Sequence, residues 1–164
     1  MKIVQVCGYS NSGKTTLIEA LVRKLSPRFS ISVIKSIHKP SFNIDEPGTD
    51  TFRFAQAGAV QVVASAPHQT TFIQQSGISI ELLLSNITTA WTIIEGFAHE
   101  SLPRIVCSKN KNEIEPFLTD KTLAISGIVA SELVSFNQLP VFNNRNAKHI
   151  DELVTLLLNL QKKN

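Results

Sequence analysis

The residues Gly8-Tyr9-Ser10-Asn11-Ser12-Gly13-Lys14-Thr15 match the spacing G-x-x-x-x-G-K-[ST], and each fixed position has a chemical task. Glycines let a backbone curl so that successive N–H groups point inward at phosphate oxygens. A lysine at position 14 then reaches the β- and γ-phosphates as a mobile point charge. The hydroxyl of Thr15 is placed to ligate the Mg²⁺ that bridges them. The expected nucleotide-binding set is Gly8, Ser10, Asn11, Ser12, Gly13, Lys14, Thr15 and Thr16.

Such a loop needs a partner carboxylate at the end of a nearby strand to hold Mg²⁺ or its waters. Ala90-Trp91-Thr92-Ile93-Ile94-Glu95-Gly96 offers an apolar run, an acid and a glycine in that order. Glu95 is therefore a candidate magnesium ligand, direct or through water, and otherwise a surface glutamate at a strand end. Lys35, His38, Lys39, Asp45, Gly48 and Asp50 crowd into one short polar stretch. Asp45 or Asp50 could touch magnesium or its waters, and Lys35, with His38 beside it, could meet phosphate or another anion. Asp50 serves equally well as the N-cap of a following helix. The segment Asn110-Lys111-Asn112-Glu113 is an inexact echo of the guanine-reading Asn-Lys-x-Asp, and a plain polar loop explains it better.

The flanks of the loop supply the elements that must hold it. Lys2–Cys7 is a short β-branched run that ends on Gly8, the pattern of a buried strand. Leu17, Ile18, Leu21, Val22 and Leu25 then share one helical face, and Pro27 ends it. A helix N-terminus beside the loop adds its unpaired N–H groups and dipole to the attraction for an anion.

Further strands are expected at Phe29–Ile34, Val60–Ala64, Gln69–Ile73, Trp91–Ile94, Arg104–Cys107, Leu123–Ser126 and Leu139–Phe142. Pro140 would confine the last to a sheet edge. Gln69–Gln75 alternates, as a hairpin partner of Val60–Ala64 would. Helices are expected at Asp50–Ala57, Ser79–Asn86 and Lys148–Leu160, the last with Ile150, Leu153, Val154, Leu157 and Leu160 on its apolar face. Continuous apolar strands alternating with helices imply an α/β fold: a mostly parallel, doubly wound sheet with helices on both faces and ligands at the strand carboxyl ends.

At 164 residues and 43% hydrophobic content, the chain suits a single domain spanning residues 1–164. The net charge of +3 is mild, with no basic stripe and no interleaved aromatics, which argues against nucleic acid. No window approaches the roughly 18–20 apolar residues of a membrane helix. No signal peptide precedes the first strand, so a cytoplasmic protein is expected. Cys7 and Cys107 lie far apart in apolar runs and read as buried, reduced thiols. His38, His68, His99 and His149 lack the spacing of metal ligands.

Three segments together resemble one family. They are Gly8–Thr16, then Lys35-Ser36-Ile37-His38 through Asp45-Glu46-Pro47-Gly48-Thr49-Asp50-Thr51 with Ala57-Gly58-Ala59, and finally Glu95-Gly96-Phe97-Ala98-His99-Glu100. In order and spacing they resemble the molybdopterin-guanine dinucleotide biosynthesis protein B (MobB) family over roughly residues 2–106. The resemblance implies a P-loop NTPase-like fold that binds GTP with Mg²⁺ and hydrolyses it slowly. It further implies an accessory role beside the guanylyltransferase that joins GMP to molybdopterin, contact with molybdopterin itself, and a homodimer. On this footing Lys14 and the loop hold phosphates, Thr15, Glu95 and Asp45 serve magnesium, and Asp45 to Asp50 line the nucleotide edge. Lys35-Ser36-Ile37-His38-Lys39 stands where members carry a histidine-rich K-H-x-H-H, and Gly48-Thr49-Asp50 where they carry G-K-D.

Two other functions use the same loop. A small-molecule kinase needs a lid whose arginines steady the transferring phosphoryl group, whereas Arg23, Arg28, Arg53, Arg104 and Arg145 are scattered singly. A GTP-driven metal-delivery protein needs a His- or Cys-rich segment, which the chain lacks.

Overall fold

The computed structural model describes residues 1–159. Leu160, the last residue expected on the apolar face of the C-terminal helix, lies outside them. The chain divides into two compact units, one made of Met1–Ser36 with the chain from Ile87 onward, the other of Ile37–Asn86. The first runs through β1 (Lys2–Cys7), α1 (Lys14–Leu25) and β2 (Ile31–Lys35). The second unit contributes α2 (Asp50–Gln56), β3 (Gln61–Ala66), β4 (Gln69–Gln74) and α3 (Ile80–Ser85). The first then resumes with β5 (Trp91–Glu95), β6 (Arg104–Ser108), β7 (Thr122–Gly127), β8 (Ser135–Phe136), β9 (Leu139–Phe142) and α4, described over Ala147–Asn159.

In the first unit seven strands lie in the order β2-β5-β1-β6-β7-β9-β8. Every pairing is parallel except β8 with β9. The α/β, mostly parallel sheet expected from the continuous apolar runs is therefore present. The chain turns from β1 leftward to β2 and β5, then rightward to β6 and β7, so the carboxyl end of β1 lies at the switch point where an open α/β sheet leaves a crevice.

One face of this sheet packs on the two long helices. Leu17, Leu21 and Leu25 of α1 and Ile150, Leu153 and Leu157 of α4 bury Val4, Val6, Ile93 and Ile105. The other face, over β6, β7 and β9, is covered differently. Short 3₁₀ turns at Lys111–Glu113, Glu115–Phe117 and Ile128–Ser131 bring Ile114 and Val129 onto Val106, Ile125 and Val141. The turn that carries Pro116 closes the face with a few apolar side chains.

Boundaries shift for local reasons. The strand expected from Phe29 begins at Ile31, because the Arg28 and Phe29 N–H groups still donate to Leu25 O. Pro140 pairs with Ser135 in β8, and the pairing of β9 with β7 starts only at Val141. The two-residue β8, which carries no periodicity to read, takes the edge instead.

The second unit holds the expected antiparallel hairpin, with Gln61 opposite Gln74 and Ala66 opposite Gln69. Its short helices begin at Thr49 and Ser79, whose hydroxyls accept from Phe52 N and Leu82 N. Thr49, not Asp50, is thus the N-cap of α2.

Candidate functional site

Between β1 and α1 the loop wraps a cleft of about 720 Å³ in the first unit. Ser10, Asn11, Gly13, Lys14, Thr15 and Thr16 line it, with Lys35 and Glu95 beside them. Gly8 and Ser12 belong to the same loop. Gly8 has φ 141°, and a Cβ there would stand 1.9 Å from Cys107 O on the neighbouring strand. Ser12 is fully buried, and its Oγ has no hydrogen-bond partner in the protein. A buried hydroxyl without a partner inside an anion-type loop is suited to a ligand oxygen.

The helix beside the loop is left open. Gly13, the N-cap of α1, has no side chain to cap it, and the first turn holds no acid. Its unpaired N–H groups therefore keep their partial positive charge toward the cleft. Lys14 folds back so that Nζ donates to Tyr9 O at 2.8 Å, a single neutral contact that an anionic oxygen would replace with a stronger one.

Glu95 reaches the same cleft from the end of β5. Its loop is anchored by buried polar groups: Gly96 N donates to Val6 O at 3.1 Å, and Gln5 Nε2 donates to Gly96 O at 2.9 Å and to Phe97 O. The buried Arg104 guanidinium donates to Ala98 O and Glu100 O. Strand register sets Lys35 opposite Glu95, and Lys35 Nζ lies 2.7 Å from Glu95 Oε1.

The far wall comes from residues that the motifs did not point to. Gly127, Ile128, Ser131, Asn143, Asn144 and Arg145 complete the lining. Asn144 is buried, and its Nδ2 donates 3.0 Å to Gly13 O, tying the loop after β9 to the phosphate loop. Gly127 has φ 98°, and a Cβ there would come within 2.3 Å of Ser12 O. Only a glycine lets β7 pass so close beneath the loop. His149 Nδ1 accepts from Asn143 N at 3.0 Å and sets that loop on α4. The polar run Asn143-Asn144-Arg145-Asn146 was visible in the sequence, but no spacing rule attached it to a partner 131 positions away.

Asn144→Ala removes the bond to Gly13 O and leaves Leu17 N as that carbonyl's remaining donor. The expected loss is about 1 kcal/mol of stability in urea unfolding, with a several-fold weaker nucleotide affinity measured by calorimetry.

Asp45, Asp50 and His38 belong to the second unit. Asp45 Oδ1 accepts from Glu46 N and from the hydroxyls of Thr49 and Thr51 at 3.1 and 2.8 Å, so it organises the entry to α2. Asp50 lies in the first turn of α2, 3.4 Å from Arg53. The Asn110–Glu113 segment is a self-satisfied turn: Asn110 Oδ1 accepts from Asn112 N, and Lys109 pairs with Glu113 at 3.1 Å. Asn110–Glu113 does not line the cleft.

Cys7 and Cys107 are free and buried. Burial pushes both thiols up, Cys107 to about 12, so neither offers a thiolate at neutral pH. Among the described residues no group of three His, Cys, Asp or Glu side chains could hold a metal ion by itself. No helix there is long and apolar enough to cross a membrane.

A strand ending in this loop, a lysine and threonine opening the helix, and an anchored glutamate on the next strand also mark a known family. The chain matches the family described as molybdopterin guanine dinucleotide synthesis protein B, MobB, over residues 3–131. It belongs to the MobB family. The match runs beyond Glu100 and takes in Gly127 and Ser131 of the far wall.

Among relatives of this MobB chain, one from Methanocaldococcus jannaschii is 36% identical over 118 residues, 68% of this chain and 49% of the relative. The chain thus spans about half the length of that protein. The molybdopterin-guanine dinucleotide biosynthesis adapter protein of Haemophilus influenzae is 28% identical over 149 residues, 84% of this chain and 83% of its own. The crystal structure of Bacillus subtilis MobB superposes with a TM-score of 0.81 at 25% identity, covering 95% of this chain and 98% of that one.

Proposed function

We propose that the chain binds GTP with Mg²⁺ in this cleft and acts in the cytoplasm as an adapter in making molybdopterin-guanine dinucleotide. The observation that carries the reading is the convergence of Lys14, Thr15, Glu95 and the uncapped N-terminus of α1 on one cleft. Their chemistry is that of a triphosphate site, and the family supplies the guanine and the pathway. The partners on this reading are the guanylyltransferase, molybdopterin, and a second copy of the chain in a homodimer.

The donor set fits a magnesium ion. Thr15 and Glu95 offer a hydroxyl and a carboxylate, the hard oxygen ligands that Mg²⁺ takes alongside phosphate. Lys35 already brings a cation onto Glu95. When bound, the metal would neutralise charge between the β- and γ-phosphates. Lys14 and the loop N–H groups bind and orient the phosphates. Asp45 and Asp50 are assigned to the nucleotide edge and, for Asp45, to magnesium waters, on the family pattern alone; His38 is the family-based contact for an anion.

Slow hydrolysis is carried over from the family resemblance. Arg145, on the cleft lining, is the arginine placed to meet transition-state charge on the phosphates. Glu95→Gln keeps the shape of the side chain and removes its charge. Magnesium-dependent GTP hydrolysis is expected to fall roughly 10- to 100-fold, while affinity for GTP changes much less. Equal losses in both would remove Glu95 from the metal site.

The deciding experiment is calorimetric titration with GTP, ATP and their non-hydrolysable analogues, with and without Mg²⁺. A clear preference for GTP is expected. A preference for ATP would overturn the guanine assignment and favour a small-molecule kinase.

A further inference from the structure

The ion pair between Lys35 and Glu95 engages the carboxylate assigned above to magnesium. Lys35 ends β2 and Glu95 ends β5, in register, and Nζ sits 2.7 Å from Oε1. The partners are unequal. The Glu95 side chain is only 13% exposed, and its backbone is held on both sides by Ser36 N to Glu95 O and Gly96 N to Val6 O. The Lys35 side chain is 52% exposed and reaches the carboxylate from the open side on a flexible stem.

Two hollows meet at this pair. The cleft with Lys14 lies on one side, and a groove of about 380 Å³ with Ile18, Val22 and Val33 on its walls lies on the other. Thr15, Lys35 and Glu95 line both. The lysine stem can therefore lie along apolar surface while its ammonium group turns to either side. An ammonium and a magnesium ion on one carboxylate would repel each other at close range, and Mg²⁺ also demands a compact octahedron of oxygens. The two cations would compete for the charge of Glu95, whose Oε1 the lysine already holds.

We propose that Lys35 is an exchangeable internal counter-cation. It neutralises Glu95 while no divalent ion is present, and it yields the carboxylate when Mg²⁺ enters with the nucleotide, turning its charge toward the phosphates. This rests on the magnesium-nucleotide reading above. Its consequence is a coupling: Lys35 competes with Mg²⁺ for Glu95 and in part replaces it for a nucleotide that arrives without metal.

The test is the affinity for a non-hydrolysable GTP analogue as a function of Mg²⁺ concentration, by calorimetry, in the wild type and three variants. In Lys35→Ala the half-saturating Mg²⁺ concentration is expected to fall about five- to tenfold, and affinity without Mg²⁺ to fall by a similar factor. Lys35→Met keeps the apolar stem and should behave the same way, whereas Lys35→Arg keeps the charge and should stay near the wild type. A merely structural role would shift affinity equally with and without Mg²⁺, and that result overturns the proposal while leaving the nucleotide site standing. A wild-type chain that binds no nucleotide overturns both.

Discussion

Lys14→Ala is expected to abolish measurable GTP binding while leaving the fold intact. In the ligand-free chain Lys14 makes one described hydrogen bond, to the backbone oxygen of Tyr9, at an exposed position. Losing that bond costs little, so thermal melting should move by no more than a degree or two. The ligand-bound chain loses far more. A lysine bridging two phosphates makes charge-assisted hydrogen bonds worth roughly 1.5–3 kcal/mol each, and together they amount to about 100-fold or more in affinity. The loop N–H groups and the helix dipole remain, so weak binding of inorganic phosphate can persist. Calorimetry on the variant checks this directly. Unchanged affinity for GTP would remove the phosphate site from this loop.

The largest effect on stability is expected at Gly8. Its φ of 141° lies where side chains are rarely tolerated, and its missing Cβ would sit 1.9 Å from Cys107 O. That oxygen belongs to β6, whose pairing with β1 sets Cys7 against Val106. Neither backbone can withdraw without opening the centre of the sheet. Gly8→Ala is therefore expected to cost about 3 kcal/mol or more, combining backbone strain with a clash against fixed main chain. Gly13→Ala is the control. Its Cβ would meet Asn144 Nδ2 at 2.7 Å, a side-chain end that can rotate away. It should lose at least 1 kcal/mol less in urea unfolding, at the expense of the Asn144 tie to Gly13 O. Similar losses at both positions would mean that local strain, not the strand beneath, decides the choice of glycine.

Arg145 and Asn143 are held by a loop that is itself fixed through Asn144 on Gly13 and His149 on Asn143. The loop after β9 is thus tied to the glycine loop on one side and to α4 on the other.

The sequence by itself determined the parts whose physics is contiguous. The phosphate loop, the opening of α1 by Lys14 and Thr15, and the apolar face of that helix are set by neighbours within a few positions. The buried strands were legible because strands covered on both faces need mostly apolar runs. Glu95 was legible as an acid ending such a run, and the hairpin of β3 and β4 by its alternation. Even the threonines and aspartate around α2 follow local capping rules, although Thr49 rather than Asp50 takes the cap.

Only the tertiary structure decided what meets across the sheet. Lys35 finds Glu95 through the register of β2 on β5, sixty positions apart. Asn144 reaches Gly13, and Gly127 passes beneath Ser12, because β7 and β9 stack to the right of β1. The separation of Ile37–Asn86 as a compact unit is equally invisible in the periodicity of its elements. Hydrogen bonds and close approaches between distant segments leave no periodic trace in a chain. They arise from the order in which strands dock, and that order is settled by the burial of the whole sheet rather than by any one segment.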